Sequence, residues 1–273
     1  MPELPEVEIV CRNLREMIPV KTKIKNWEFY RKDLRYLIPK KDLQKLIGLP
    51  LQAISRRAKY ILFEFQEFML ISHLGMTGSW RLERKGWDKR THDHLAFELS
   101  GGRWFVYEDA RRFGFVEVIR RDDYLKRFQN LGAEPLDRDV DFSGLTEKFS
   151  KLSAPIKCAL MNQKLLVGVG NIYASEILFK VGVSPLRPCV QIKSQEYDKI
   201  WKETRMTLLR SIEKGGSTIE NYRNSYGESG NYQNEFFVYG KEGESCHSNC
   251  GGKIRSIVQA GRSTYWCPVC QKK

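Results

Sequence analysis

Between residues 5 and 18 the apolar side chains fall at Val7, Val10, Leu14, Met17 and Ile18, in steps of three and four that predict an amphipathic helix. From about residue 23 to 119 the pattern changes. YILFEF, FMLISH, HLAFEL, RWFVYE and FGFVEVI are short, rich in aromatic and aliphatic residues, and separated by glycine-containing turns such as GMTG and SGG. So many strands without long helices between them predict an antiparallel sandwich or barrel. Residues 130 to 144, NLGAEPLDRDVDFSG, are polar, hold Pro and Gly, and read as a linker. Helical stretches follow at roughly 154–162, 171–181 and 195–214, the last keeping Ile200, Met206, Leu208, Leu209 and Ile212 among charges.

A chain of 273 residues is comfortable for two domains, and 41% hydrophobic residues supply a packed core. No apolar run approaches the ~18 residues of a membrane span. The start, MPELPEVE, carries early glutamates and no apolar stretch, which excludes an ordinary signal peptide and points to the cytoplasm. Lys and Arg total 46 against 33 Asp and Glu, a net +13. That surplus points to a polyanionic partner, and nucleic acid is the commonest.

Four of the seven cysteines, Cys246, Cys250, Cys267 and Cys270, lie near the C-terminus as two close pairs, while Cys11, Cys158 and Cys189 are scattered. Two close pairs flanking a short insert suit tetrahedral zinc, each pair supplying two thiolates. KIRSIV and STYW read as the strands of a hairpin with QAGR between them. His247, inside the first pair, is a lower-ranked alternative ligand. Four thiolates leave no open position to activate water, so one structural Zn2+ is expected and the chemistry must lie elsewhere. The metal would hold Arg262 at the hairpin tip.

Pro2 follows the initiator Met and is small enough for Met removal, which would expose a secondary amine. An α-amino group titrates near ~8, so part of it is unprotonated at neutral pH. Such an amine can form an iminium with a sugar C1′. Glu3 and Glu6 lie beside it, and either carboxyl could protonate a leaving group or open a deoxyribose ring. Pro with Glu is also ordinary chemistry for a helix start.

MPELPEVE, SRRAKYILFE, SHLGMTG, HDHL, DARRFG, GVGNIYASEILF and the terminal cysteine pairs, in this order along essentially the whole chain, resemble the formamidopyrimidine-DNA glycosylase family. The resemblance implies an α+β multidomain fold. An N-terminal antiparallel β-sandwich domain with an N-terminal helix would span 1–132. A linker would span 133–144, a helix–two-turn–helix DNA-binding domain 145–240, and a β-hairpin zinc ribbon 241–273, with DNA in the cleft. It implies a monomeric bifunctional glycosylase and abasic-site lyase. The enzyme would excise 8-oxoguanine and formamidopyrimidines from duplex DNA and cleave the strand by β,δ-elimination.

Carried over position by position, Pro2 is the nucleophile, Glu3 the general acid and Glu6 a supporting carboxylate. Lys59 contacts phosphate and assists elimination, and Arg262 grips the phosphates flanking the lesion. Met76, Arg111 and Phe113 fill the hole left by the extruded base, where an apolar wedge restores stacking and an arginine bonds the orphaned base. His73, His92 and Asn171 contact the DNA backbone. A glycine turn before the helix at Asn171 would seat a phosphate, or Asn171 would simply cap that helix. Glu176 orders the site, and the segment Tyr226 to Gln233 closes over the flipped lesion.

Two features depart from the family pattern. The first cysteine pair, CHSNC, is spaced by three residues where two are usual. The basic phosphate contact expected before the helix at 154 falls near Leu152, with Lys151 as a neighbouring substitute. Two other readings stand beside this one: an endonuclease VIII-like glycosylase for oxidised pyrimidines, and a non-catalytic zinc-ribbon nucleic-acid-binding protein. The latter leaves MPELPE, Lys59 and the MTG and RRFG segments unexplained.

Overall fold

In the computed structural model, which describes residues 2–218 and 225–272, helix α1 (Leu4–Met17) forms where the apolar spacing places it. Pro5 sits in its first turn, where a missing N–H costs nothing. Val7, Val10, Cys11 and Leu14 are buried. Pro19 ends the helix, because a residue before proline is pushed out of the helical region, and Ile18 is extended at φ −118°, ψ 94°.

The chain continues through β1 (Ile24–Phe29), the short α2 (Lys40–Gln44), β2 (Ala53–Arg57), β3 (Tyr60–Glu64), β4 (Phe68–His73), β5 (Gly78–Arg84), β6 (Asp93–Leu99), β7 (Arg103–Asp109), β8 (Phe115–Arg120) and α3 (Tyr124–Phe128). Two four-stranded sheets result, ordered β1-β6-β7-β5 and β2-β3-β4-β8, and every pairing is antiparallel. Alternation sets the faces. Leu95, Phe97 and Leu99 of β6 enter one core with Ile61 and Phe63 of β3, Trp80 of β5 and Val7, Val10 and Leu14 of α1. Ala96, between them, lies in a separate small cluster with Trp104 and Val106 under Trp87. Phe97 is the hub of the main core, with ring centroids 4.9 Å from Trp27, 5.5 Å from Trp80 and 5.7 Å from Phe105. Each buried large side chain contributes about 1.5–3 kcal/mol.

Residues 1–129 pack as one unit with 215–231, and residues 130–214 pack with 232–273 as another. Segment 215–231, read from sequence as part of the helical domain, joins the first unit through side chains of α1. Ser217 bonds Glu6, and the Tyr226 hydroxyl donates to Glu16 Oε2 at 2.8 Å.

The second unit holds α4 (Phe142–Ser150), α5 (Ile156–Leu160), α6 (Asn171–Lys180), α7 (Ser194–Glu213) and the hairpin β9 (Arg255–Gln259) and β10 (Arg262–Trp266). Helix α4 begins inside the stretch read as a linker. Asp141 caps it, accepting from the Gly144 N–H at 2.8 Å, and Leu145 and Phe149, four residues apart, form its buried face. Upstream, the Gly132 N–H donates to Gln163 O at 2.8 Å and the Val167 N–H to Ala133 O at 3.0 Å, so the start of this stretch is tied to residues 163–167. Phe149 packs edge-on to Trp201 of α7 at 5.0 Å. Helix α7 buries Ile200, Trp201, Thr204, Leu208 and Ile212 but turns Met206 and Leu209 to solvent, so those two are not core. The turn of the zinc hairpin is Ala260-Gly261, both at positive φ (46° and 72°), which suits the twist of a two-residue connection. Gln259 and Arg262, read as turn residues, are paired across the last rung. No helix among the described residues is long and apolar enough to cross a membrane.

Candidate active site and nucleic-acid contacts

Pro2 precedes α1 and is buried, as are Glu3 and Glu6, while Met1 lies outside the described residues. The Glu6 carboxylate is fully engaged. Oε2 accepts the Glu3 N–H at 2.8 Å, and Oε1 accepts the Ser217 N–H at 2.8 Å and its hydroxyl at 2.9 Å. A side chain at Gly216, φ 78°, would press on Glu6 at 3.2 Å, so glycine is what lets the backbone at 216 approach. The Gly230 N–H donates to Thr218 Oγ1 at 2.7 Å, closing the segment on itself. Within the stretch 226–233, Tyr226 belongs to this closure, whereas Tyr232 is buried in the second unit against Tyr173, with ring centroids 5.9 Å apart.

Lys59 is not on a strand. It sits in the turn between β2 and β3, after Ala58 at φ 53°, and is 93% buried by its surroundings, leaving 7% exposed. Burial first, then the positive charges of Lys59, Arg35 and Arg127, push the His73 imidazole down to about 4. His73 is therefore neutral at pH 7. Its Nδ1 accepts the Gly75 N–H at 3.0 Å, so the proton rests on Nε2, the form that donates to a phosphate oxygen. Its ring stacks on Phe115 at 5.4 Å.

Met76, on the GMTG loop, is half-buried. Arg111 and Phe113 are exposed, with the guanidinium 4.9 Å from the Phe113 ring centroid. Phe113 lies outside β8, which starts only at Phe115. The three side chains border one open hollow of about 620 Å³ with His73 and Arg35. His92 is exposed just before β6. Its neighbour His94 is buried, with Nε2 2.7 Å from Asp109 O.

In the second unit Asn171 is the first residue of α6 and Gly170 is its cap, so the cap reading of Asn171 is overturned. Its Oδ1 accepts from Lys157 Nζ at 2.5 Å, and its Nδ2 donates to Ser263 O of β10 at 2.9 Å. The GVG turn ahead of it is shaped by Gln163, whose amide bonds Met161 O and Val169 O and whose Oε1 accepts the Gly168 N–H. Lys157 was passed over in the sequence. It is 1% exposed, and its ammonium also donates to Thr264 Oγ1 at 2.7 Å and Ser263 O at 3.1 Å. A lone lysine in the otherwise apolar run APIKCAL was the signal. Lys151, the substitute weighed near Leu152, instead ends α4, pairs with Glu147 at 2.6 Å and is 70% exposed.

Glu176, on α6, is fully buried. It accepts the N–H groups of Phe237, Val238 and Tyr239 at 2.8, 3.0 and 2.8 Å. Burial raises its pKa, against those three donors. Tyr239 lies edge-on to Tyr265 of β10 at 5.2 Å, so Glu176 ties the approach to the hairpin that carries the exposed Arg262.

The Sγ atoms of Cys246, Cys250, Cys267 and Cys270 all lie within 4.8 Å of one another, with 3.7 Å between Cys246 and Cys270 and 3.6 Å between Cys250 and Cys267. A tetrahedron with Zn–S of about 2.3 Å has edges of about 3.8 Å, so the four thiols fit zinc. The extra residue of CHSNC is absorbed by Asn249 at φ 52°, and the Gly252 N–H draws the Cys250 thiol down to about 7. His247 packs edge-on to Phe237 at 4.8 Å and is outside the four-thiol group.

Residues 1–116 match the formamidopyrimidine-DNA glycosylase N-terminal domain, 131–223 the H2TH domain of the same enzymes, and 243–273 the zinc finger found in FPG and IleRS. The chain is 42% identical to the formamidopyrimidine-DNA glycosylase of Bdellovibrio bacteriovorus over 272 residues, covering all of both chains. The chain belongs to the formamidopyrimidine-DNA glycosylase family. The enzyme of that name from Beijerinckia indica is 39% identical, again over the whole of both chains. Among solved structures, Lactococcus lactis Fpg in complex with abasic-site DNA is 39% identical, with a TM-score of 0.91 over 99% of this chain and all of the other. MutM with carbocyclic 8-oxo-G DNA is 39% identical, with a TM-score of 0.90 over the whole of both chains. The sandwich, the helical domain and the zinc hairpin expected from sequence are thus those of this family.

Proposed function

We infer that this chain is a bifunctional DNA glycosylase and abasic-site lyase that removes 8-oxoguanine and formamidopyrimidine lesions and cleaves the strand. The observation that carries the reading is the buried Pro2–Glu3–Glu6 start of α1 in a chain matching lesion-DNA-bound relatives over its full length. The net charge of +13 favours the DNA backbone.

In the reaction the Pro2 nitrogen lone pair forms a bond to C1′ as the glycosidic C1′–N bond breaks, and the proton shed by the amine goes to the departing base. The three bonds that hold Glu6 make it an anchor, so proton transfer falls to Glu3. Its proton goes to the ring oxygen as the C1′–O4′ bond opens, leaving an iminium. Loss of the C2′ proton expels the 3′ phosphate, and loss of the C4′ proton then expels the 5′ phosphate. Lys59 assists these eliminations beside neutral His73, which donates Nε2–H to a phosphate. Met76, Arg111 and Phe113 fill the vacated stack. Asn171, backed by the Lys157 charge, and Arg262 hold the backbone on the second unit, and His92 adds a contact from the first. Zinc on the four cysteines supplies folding energy to the hairpin and no step of the chemistry. The enzyme works in the cytoplasm, with the chromosome.

The test is a panel of duplexes carrying 8-oxoguanine opposite cytosine, a formamidopyrimidine, or thymine glycol. Base release and nicking at the first two, with thymine glycol at least tenfold slower, is the expected outcome. Preference for thymine glycol would place the chain with the pyrimidine-specific enzymes. No release from any duplex would leave only a DNA-binding protein.

A further inference from the structure

The GMTG and DARRFG loops are tied by a hydrogen-bond chain that no step of the reaction uses. Asp109, the last residue of β7, is fully buried. Its Oδ1 accepts the Thr77 hydroxyl at 2.5 Å and its Oδ2 accepts the Gly114 N–H at 2.8 Å. Thr77 Oγ1 in turn accepts the Arg111 N–H at 3.0 Å. The direction of every bond is fixed, because a carboxylate only accepts and a backbone N–H only donates. The hydroxyl is therefore the one group between Asp109 and Arg111 that must do both.

The loops also touch without side chains. A Cβ at Gly75 would fall 2.3 Å from Gly114 N and 2.4 Å from Phe113 C, and one at Gly114 would fall 2.6 Å from His73 O. Met76 therefore moves with Thr77, and Arg111 and Phe113 flank the bonded positions on the other loop. Arg112, between them, is held at φ 58°, a conformation a free arginine rarely adopts.

We propose that Thr77 and Asp109 are positioning residues that make Met76, Arg111 and Phe113 one rigid wedge, so that base extrusion depends on a half-buried hydroxyl that bridges the two loops. The inference rests on the reading of those three side chains as void fillers. The wedge must displace a stacked base in one motion, and three side chains on two independent loops would each lose conformational freedom on insertion. The Thr77–Asp109 link removes that loss beforehand.

The test is Thr77→Val, which keeps the side chain's shape and removes the hydroxyl, with Thr77→Ser as the conservative variant and Phe113→Ala as a control on the wedge itself. Single-turnover excision of 8-oxoguanine and cleavage at a preformed abasic site are measured in parallel, with 2-aminopurine next to the lesion reporting insertion. Thr77→Val is expected to slow excision at least tenfold and to suppress the 2-aminopurine change. Abasic-site cleavage, which has no base to unstack, should fall less than threefold, and Thr77→Ser should restore excision. Equal loss on both substrates in Thr77→Val would mark the hydroxyl as merely structural and overturn the proposal. So would normal excision by Thr77→Val alongside a slow Phe113→Ala. Normal excision by both variants would instead remove the wedge reading on which the inference rests.

Discussion

Replacing Glu176 by glutamine perturbs the link between α6 and the zinc hairpin while keeping volume. The carboxylate accepts three backbone N–H groups, from Phe237, Val238 and Tyr239. Glutamine offers one oxygen and one amide. With the oxygen toward Val238 and Tyr239, the Phe237 bond is lost and two donors face each other; in the other orientation two bonds are lost. A hydrogen bond to a charged group contributes about 1.5–3 kcal/mol and an orphaned buried donor costs about 1–3 kcal/mol. The neutral amide escapes the burial penalty that raises the Glu176 pKa, and this offsets part of the loss. A net destabilisation of about 2–4 kcal/mol follows, which for a unit of this size lowers its melting transition by about 10 °C. Because Tyr239 packs on Tyr265 of β10, affinity for an abasic-analogue duplex should fall at least tenfold with zinc still bound. Calorimetry, zinc content and DNA titration of Glu176→Gln make the assay. A transition within 2 °C of the parent, with unchanged affinity, would refute the claim that this carboxylate holds the hairpin's approach.

Other perturbations follow from the same structure. His73, at about 4 folded against 6.5 in the unfolded chain, takes up its proton first when unfolded. Its contribution to stability is complete above pH 6.5 and is lost as pH falls toward 4, so His73→Gln should flatten denaturation midpoints across that window. Phe97→Ala leaves a cavity among Trp27, Trp80 and Phe105 and should cost about 3–5 kcal/mol in urea unfolding. Stripping zinc, or Cys250→Ser, removes binding energy on the order of 10 kcal/mol from a hairpin with little core of its own. Limited proteolysis should then cut first between 241 and 272 and spare the β-sandwich.

What the sequence made legible was the regular part. Period-two strands with both faces apolar, such as HLAFEL and RWFVYE, and the three-four spacing of α1 each mark a buried surface directly. The strands β1, β2 and β5 were not singled out, because IKNWEF, AISRR and GSWRLER carry charged residues and half-buried positions. Helix α4 was hidden by a glycine near its start and only two buried apolar residues. The roles of Lys59 and Lys157 depend on burial that spacing cannot show: a lysine reads as solvated until the tertiary structure surrounds it. Glu176 was singled out, yet its partners lie 61 to 63 residues away in the short run FFVY, which forms neither helix nor strand and gives no periodicity to mark it. The cysteine pairs were legible because four thiols within one short segment have little else to do, and the odd spacing needed only one residue at positive φ.

The central claim is that the Pro2 amine forms a covalent bond to the sugar. Borohydride reduction during incubation with an 8-oxoguanine·cytosine duplex tests it most directly, with the mature N-terminus checked by mass spectrometry and Pro2→Gly run alongside. The expected result is a protein–DNA adduct that maps to the N-terminal peptide and weakens in the variant. An adduct on any other residue, or none in zinc-loaded protein that has lost Met1, would contradict it.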